Sequence, residues 1–380
     1  MYLDGRVRAN QLDELDQLVG SSVAPHVATL QALQDPETGG VLDPEAAERA
    51  LDALARGVEE VGVAVKVPDA GAAFRSDVAR WRFDGLECTP NFDRSMDALS
   101  EPANLEPFFL VAPVDGNGVA ARLEYVLGLR HEPEEVNDVA QSVPRGVPTR
   151  VNLRLIDASD GIGDQELAAA DVSTTTRRNN LVLGFPHRVA SMLANHVVPN
   201  AIEASGRSDW AVATLVPAEL YRAVCVHDHL HHAYRHTRWY PRDDGWIVDY
   251  AGSVLDTVRV DAEVAVQAAE IGVPYADAIL DIVCFNRLFP RYRDSRSAPI
   301  RRFLFAWLTR HGGGALRFRS GYLELDSLAA VDAFGELIDL MGELDALDPH
   351  DRRIEARLIM ARYAGDSTRS GPTVGSGASF

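Results

Sequence analysis

The stretch VCVHDHLHHAYRH, from Val224 to His236, carries five of the eleven histidines in this 380-residue chain. Imidazoles at that density suit a bound cation or phosphate, or else a polar patch of no chemical consequence. Spacing narrows the choice. Leu220, Val224, His227 and His231 follow one another at steps of four, three and four, the repeat of one helix face, so two imidazoles occupy core-facing positions. Such an i, i+4 pair can chelate one ion, and neutral imidazoles buried without partners are costly. Asp228 lies beside the pair, placed to take a proton from water. Cys225, His229, His232 and His236 form a second stripe that faces elsewhere, with Cys225 reading as a small buried hydrophobe.

A metal site needs a third donor, usually a carboxylate. The segment SVLDTVRVDAEVAVQAAE supplies candidates. Asp261 continues the otherwise apolar line Val254, Val258, Ala265, where a carboxylate is costly unless it binds something. Asp256 and Glu263 lie on a neighbouring face, and Arg259 can pair with any of the three. For a developing oxyanion, Arg259, Tyr234 and Tyr250 are all available, with no basis for ranking them.

The two motifs together, H-[DE]-x-x-H and then an acidic-x-x-basic-x-acidic segment, resemble the gluzincin class of zinc hydrolases. The dipeptidyl peptidase III family carries a related Glu-Glu-Cys-Arg-Ala-Glu segment, whose counterpart is Asp256-Thr257-Val258-Arg259-Val260-Asp261. Residues 221–326 also resemble an uncharacterised bacterial family with a His-Asp-x-x-His-His core. The resemblance implies zinc held by His227, His231 and either Asp256 or Asp261, with Asp228 as base. Two departures stand out. Asp228 replaces a glutamate, setting its carboxylate roughly 1.5 Å farther back. In the dipeptidyl peptidase III family the histidines are one residue farther apart, and its second glutamate falls on Thr257.

HD-domain phosphohydrolases offer a competing resemblance. There His187 is the first ligand, His227-Asp228 the dyad and Asp261 the last ligand, with His231 and His236 matching further histidines of nucleotide-hydrolysing members. Two histidines and one carboxylate also describe a non-haem iron oxygenase site. A non-enzymatic metal-binding protein is the fourth reading. Zinc is the expected ion, with iron and manganese as alternatives, and the expected ligand is a small molecule or peptide.

The rest of the composition removes other chemistries. A net charge of −19 and a pI near 5.0 argue against nucleic acid and against an anionic membrane surface. Lys66 is the single lysine among 37 basic residues and no phosphate-loop motif surrounds it, so lysine-based mechanisms drop out. Three scattered cysteines, with no apolar leader and no long apolar run, lead us to expect a cytoplasmic protein. His311-Gly-Gly-Gly resembles the oxyanion loop of esterases, but no G-x-S-x-G accompanies it.

The elements that must position these residues read as α+β: a mixed α/β domain over 1–160, a linker over 161–185, a mostly helical metal-binding domain over 186–365, and a disordered tail over 366–380. In the first domain we expect helix over 10–34, a second from Asp43-Pro44 to about Glu60, a strand at 61–67, a hairpin from 107–114 and 122–129, and a strand at 150–157. In the second, 3.6-residue periodicity marks helices at 188–204, 217–236, 252–271, 274–288, 298–311, 327–347 and 351–363, with a hairpin at 315–326. The aromatic stretch at 239–250 joins the two candidate ligand helices, as a packed connection or a pocket wall.

Overall fold

The computed structural model describes residues 9–35, 38–67, 69–98, 103–116, 119–140, 149–159, 181–239, 250–289 and 298–365. The chain divides into two compact units, residues 1–133 with 147–189, and residues 134–146 with 190–380. The architecture is α+β, as expected.

The first unit sets helices on a small mixed sheet. Its helices are α1 (Ala9–Ser22), α2 (Ala24–Leu33), α3 (Pro44–Ala64), α4 (Ala70–Asp84) and α5 (Asp93–Asp97). Strands β1 (Pro107–Gly116), β2 (Val119–Arg130), β3 (Thr149–Ala158) and β4 (Leu181–Gly184) lie in sequence order, antiparallel except for the parallel β3–β4 pair. Alternation divides the sheet's side chains. Phe109, Val111, Leu123, Tyr125 and Leu127 join the core built by α1–α4, while Phe108, Leu110, Val126, Val151, Leu153 and Leu183 form a second cluster. The expected hairpin and the strand at 150–157 are present.

The helix expected over 10–34 is two, α1 and α2, meeting at Val23, and the strand expected at 61–67 is absent. Residues 61–67 alternate like a strand, yet α3 runs through them to Ala64. Asp43 accepts a hydrogen bond from the Ala46 amide and Pro44 stands in the first turn, so the helix is firmly started. Its buried face, Leu51, Leu54, Val58, Val61, continues at helical spacing, and Val63 is left exposed. The helix ends only where Lys66 turns left-handed, at φ 64°. Within the expected linker, residues 160–180 lie outside the described residues and 181–184 form β4. The tail at 366–380 and residues 240–249 of the aromatic connection also lie outside the described residues.

The second unit is helical around one buried rod. Its elements are α6 (Glu134–Ala140), α7 (Pro186–Met192, inside which the division falls), a π-helical turn (Leu193–Val197), α8 (Val198–Ser205), α9 (Ala211–Thr214), α10 (Pro217–Trp239), α11 (Tyr250–Ile271), α12 (Ala276–Leu288), α13 (Ala298–Arg310), the hairpin β5 (Leu316–Arg319) and β6 (Tyr322–Leu325), α14 (Ser327–Asp345) and α15 (Pro349–Ala364). Helix α11 packs against α10, α12, α13, α14 and α15. Apolar residues therefore cover more than one of its faces, and Asp256, Arg259, Asp261 and Glu263 are all buried along it. No helix among the described residues is long and apolar enough to cross a membrane.

Buried Asp281 on α12 accepts the Val212 amide at 3.1 Å, capping α9. Burial pushes its pKa up to about 6, against the pull of the Val212 and Ala211 amides. The folded state thus binds this proton more tightly than the unfolded chain. The resulting stabilisation is complete below the unfolded value of 3.8 and is lost as pH rises through about 6. Relative to Asp281→Asn, we expect wild-type stability to fall by about 3 kcal/mol over that window. Urea unfolding at several pH values measures it; a pH-independent difference would mean that burial does not govern this carboxyl.

Candidate functional site

Helix α10 begins at Pro217, with the Glu219 carboxylate accepting the Val216 amide at 3.1 Å. Leu220, Val224 and His227 are buried and His231 is partly so, as the helical spacing predicts. Cys225 and His232 are buried as well, so α10 is covered on more than one side. The rings of His227 and His231 lie 5.9 Å apart between centroids.

Each imidazole meets a carboxylate. His227 Nδ1 lies 3.0 Å from Asp228 Oδ1. An ionised carboxylate only accepts, so Nδ1 carries the proton, and in the neutral ring the lone pair is on Nε2. That is how metal-ligating histidines are commonly oriented. His231 Nε2 lies 3.5 Å from Asp261 Oδ1 on α11. Burial lowers the His231 pKa, partly offset by Asp261, with His227 and Arg287 lowering it further, which favours a neutral ring.

Asp261 is also held by a residue outside the motifs. Arg287 on α12 donates from Nε to Oδ2 at 2.7 Å and from Nη2 to Oδ1 at 3.0 Å. Burial alone would raise the Asp261 carboxyl, but the Arg287 charge and the His231 and Arg287 hydrogen bonds hold it far below the usual carboxylate range. A signal for Arg287 exists in the sequence: it is a cation on a helix whose residues Ile279, Leu280, Ile282, Val283 and Phe285 are all buried.

The remaining candidates are engaged in other ways. Arg259 donates to Glu263 at 3.2 Å and to Asp345 at 2.6 Å, tying α11 to α14. Tyr234 donates its hydroxyl to Gln267 at 2.8 Å. Asp256 is buried on α11, and Tyr250 is exposed. His187 belongs to the first unit, where its ring stacks on His131 at 6.0 Å, and burial, then His131 and Arg154, lower its pKa to about 4. The His236 side chain lies outside the described residues.

The structure therefore brings together His227, Asp228, His231, Asp261 and Arg287. Donors on one tetrahedral zinc are about 3.3 Å apart, so His231 Nε2 and Asp261 Oδ1 have fitting separation. Neutral imidazole and carboxylate are also the right chemistry for such an ion. Among the described residues, no group of three or more His, Cys, Asp or Glu is gathered closely enough to hold one.

No protein-family model matches this chain, and no curated protein matches it. A solved structure does: DPP III (dipeptidyl peptidase III) from Caldithrix abyssi superimposes with a TM-score of 0.61, at 11% identity, over 84% of this chain and 67% of that one. The chain thus has a fold similar to that of DPP III, in line with the resemblance carried by the α10 and α11 motifs. At this identity the likeness is one of fold.

Proposed function

We propose that the protein is a metal-dependent hydrolase whose ion is held by His227, His231 and a carboxylate of α11. The observation that carries this reading is the contact between His231 and Asp261 on neighbouring helices, beside an imidazole whose Nδ1 is held by Asp228. The DPP III-like fold supports it. Of the two candidate carboxylates, Asp261 is favoured over Asp256 because it lies against His231. A bound zinc would lower the pKa of a water toward neutrality. Asp228 holds His227 in the Nδ1–H tautomer, and His231 stays neutral. Arg287 braces the Asp261 carboxylate. The substrate class is small molecules or peptides, and no residue is assigned to an oxyanion, since Arg259 and Tyr234 are already engaged.

A second reading rests on Arg287. With both Asp261 oxygens bonded to the guanidinium, the cluster also works as a structural ion-pair centre, without catalysis. Elemental analysis decides between the two. The hydrolase reading expects about one zinc per chain, lost in His227→Ala and kept in His187→Ala. Loss in both His187→Ala and Asp228→Ala would favour the HD-type site, iron would favour the oxygenase, and no metal after loading would leave the structural centre.

Asp228 has its own test. Asparagine still offers an oxygen to His227 Nδ1–H, whereas alanine offers none. If Asp228 orients His227, Asp228→Asn keeps zinc affinity within about tenfold, and Asp228→Ala loses about 10–100-fold. Calorimetric titration with zinc measures both. If Asp228 is instead the proton acceptor, both variants bind zinc like wild type and neither hydrolyses.

A further inference from the structure

Away from that cluster, three side chains from the end of the unit form a chain of another kind. His311 follows α13, Glu336 stands on α14 and Tyr363 on α15. Glu336 Oε2 lies 2.5 Å from His311 Nδ1, and the Tyr363 hydroxyl lies 2.8 Å from His311 Nε2. Carboxylate, imidazole and hydroxyl thus stand in the order that activates a nucleophile. The ionised carboxylate holds a proton on Nδ1, and in the neutral ring the Nε2 lone pair faces the phenol proton.

Each charge that proton transfer creates has a neighbour that favours it. The Trp307 ring lies parallel to the imidazole at 3.7 Å, a stacked face for an imidazolium. The Arg310 guanidinium lies 5.3 Å from the centre of the Tyr363 ring, beside a phenolate. Glu336 is fixed in turn, because its Oε1 accepts the Gly312 amide at 3.1 Å. That amide is aimed by a left-handed turn with φ of 58°, 70° and 84° at Gly312, Gly313 and Gly314. A Cβ on Gly312 would lie 2.0 Å from the Ala329 carbonyl oxygen, so the turn accepts only glycine there. The His-Gly-Gly-Gly motif therefore places a base. Glu336 is half-exposed, and His311 and Tyr363 are partly so, which leaves the group open to solutes.

We propose that Tyr363 is a nucleophile, activated by His311 and Glu336, that takes acyl groups from activated carboxylic esters. The Tyr363 O–H proton passes to His311 Nε2 as Oη bonds to the ester carbonyl carbon. The bond from that carbon to the leaving oxygen then breaks, and the electron pair departs with it. His311 gives its proton to the leaving group or to water, and O-acyl-tyrosine remains. The ester supplies everything the step consumes.

The probe is p-nitrophenyl acetate with the full chain, followed by release of p-nitrophenolate and by peptide mass mapping. We expect one rapid equivalent, with the acetyl group on Tyr363, and no burst in Tyr363→Phe. His311→Gln and Glu336→Gln should slow labelling, by about 10²-fold for the former. Exposed Tyr322 serves as the internal reference. Should His311→Gln fail to fold, half-exposed Glu336→Gln decides. Labelling of Tyr363 no faster than Tyr322, or unaltered by Glu336→Gln, would overturn the proposal and leave the trio as a lock between helices.

Discussion

Arg287→Met destabilises the protein by about 3–5 kcal/mol, among the largest effects expected of any single substitution here. Asp261 is 2% exposed, and Arg287 is the cation its carboxylate bonds through both oxygens. Removing the guanidinium leaves a buried charge with only the long contact to His231 in its place. Urea unfolding of Arg287→Met, Asp261→Asn and the double variant measures this as a cycle. Because Asp261→Asn removes the charge itself, the loss in the double variant should be well below the sum of the two single losses. A loss in Arg287→Met below about 0.5 kcal/mol, the size of an ordinary surface substitution, would show that Asp261 is not the charge this residue compensates.

His231→Ala should abolish stabilisation by zinc. A ligand that binds only the folded state adds about 2.7 kcal/mol when its free concentration is a hundred times its dissociation constant. Wild type should show that gain in thermal or urea unfolding, and hydrolysis should be lost together with it in the variant. His231 supplies one of the two donors already at a fitting separation, so its removal leaves only His227 and Asp261 of the proposed ligand set. An equal gain from zinc in His231→Ala and wild type would place the ion elsewhere on the chain, and the His231–Asp261 contact would then be only an element of packing.

Much of the helical unit was legible because helix spacing and burial report the same thing. The steps from Leu220 to His231 placed α10, and the hairpin expected over 315–326 is β5–β6. The aspartate on the apolar line of α11 is paired with Arg287. Its partner was not legible in the same way. The sequence offered Arg259, within about one helical turn of every candidate, but Arg259 is drawn to Glu263 and to Asp345, 86 positions away in the chain. Arg287 reaches Asp261 across two helices, a contact no local periodicity encodes. The strand expected at 61–67 failed for a related reason: valines at every second position satisfy alternation, and only the packed face of α3 reveals that helical spacing governs them. Likewise, α6 belongs to the helical unit although it lies between strands of the sheet in sequence.

The burial of α11 on several sides has a kinetic side. A rod enclosed by five other helices opens its backbone amides only when much of that unit comes apart, so they exchange with solvent near the slow limit set by global unfolding. Asp261 rides on that rod, whereas α9 is a single turn at the edge, held by the Asp281 carboxylate. The Asp261 carboxylate is thus carried by the most enclosed helix of this unit, so rearrangement around it is expected in the side chains of Arg287 and the histidines rather than in the backbone.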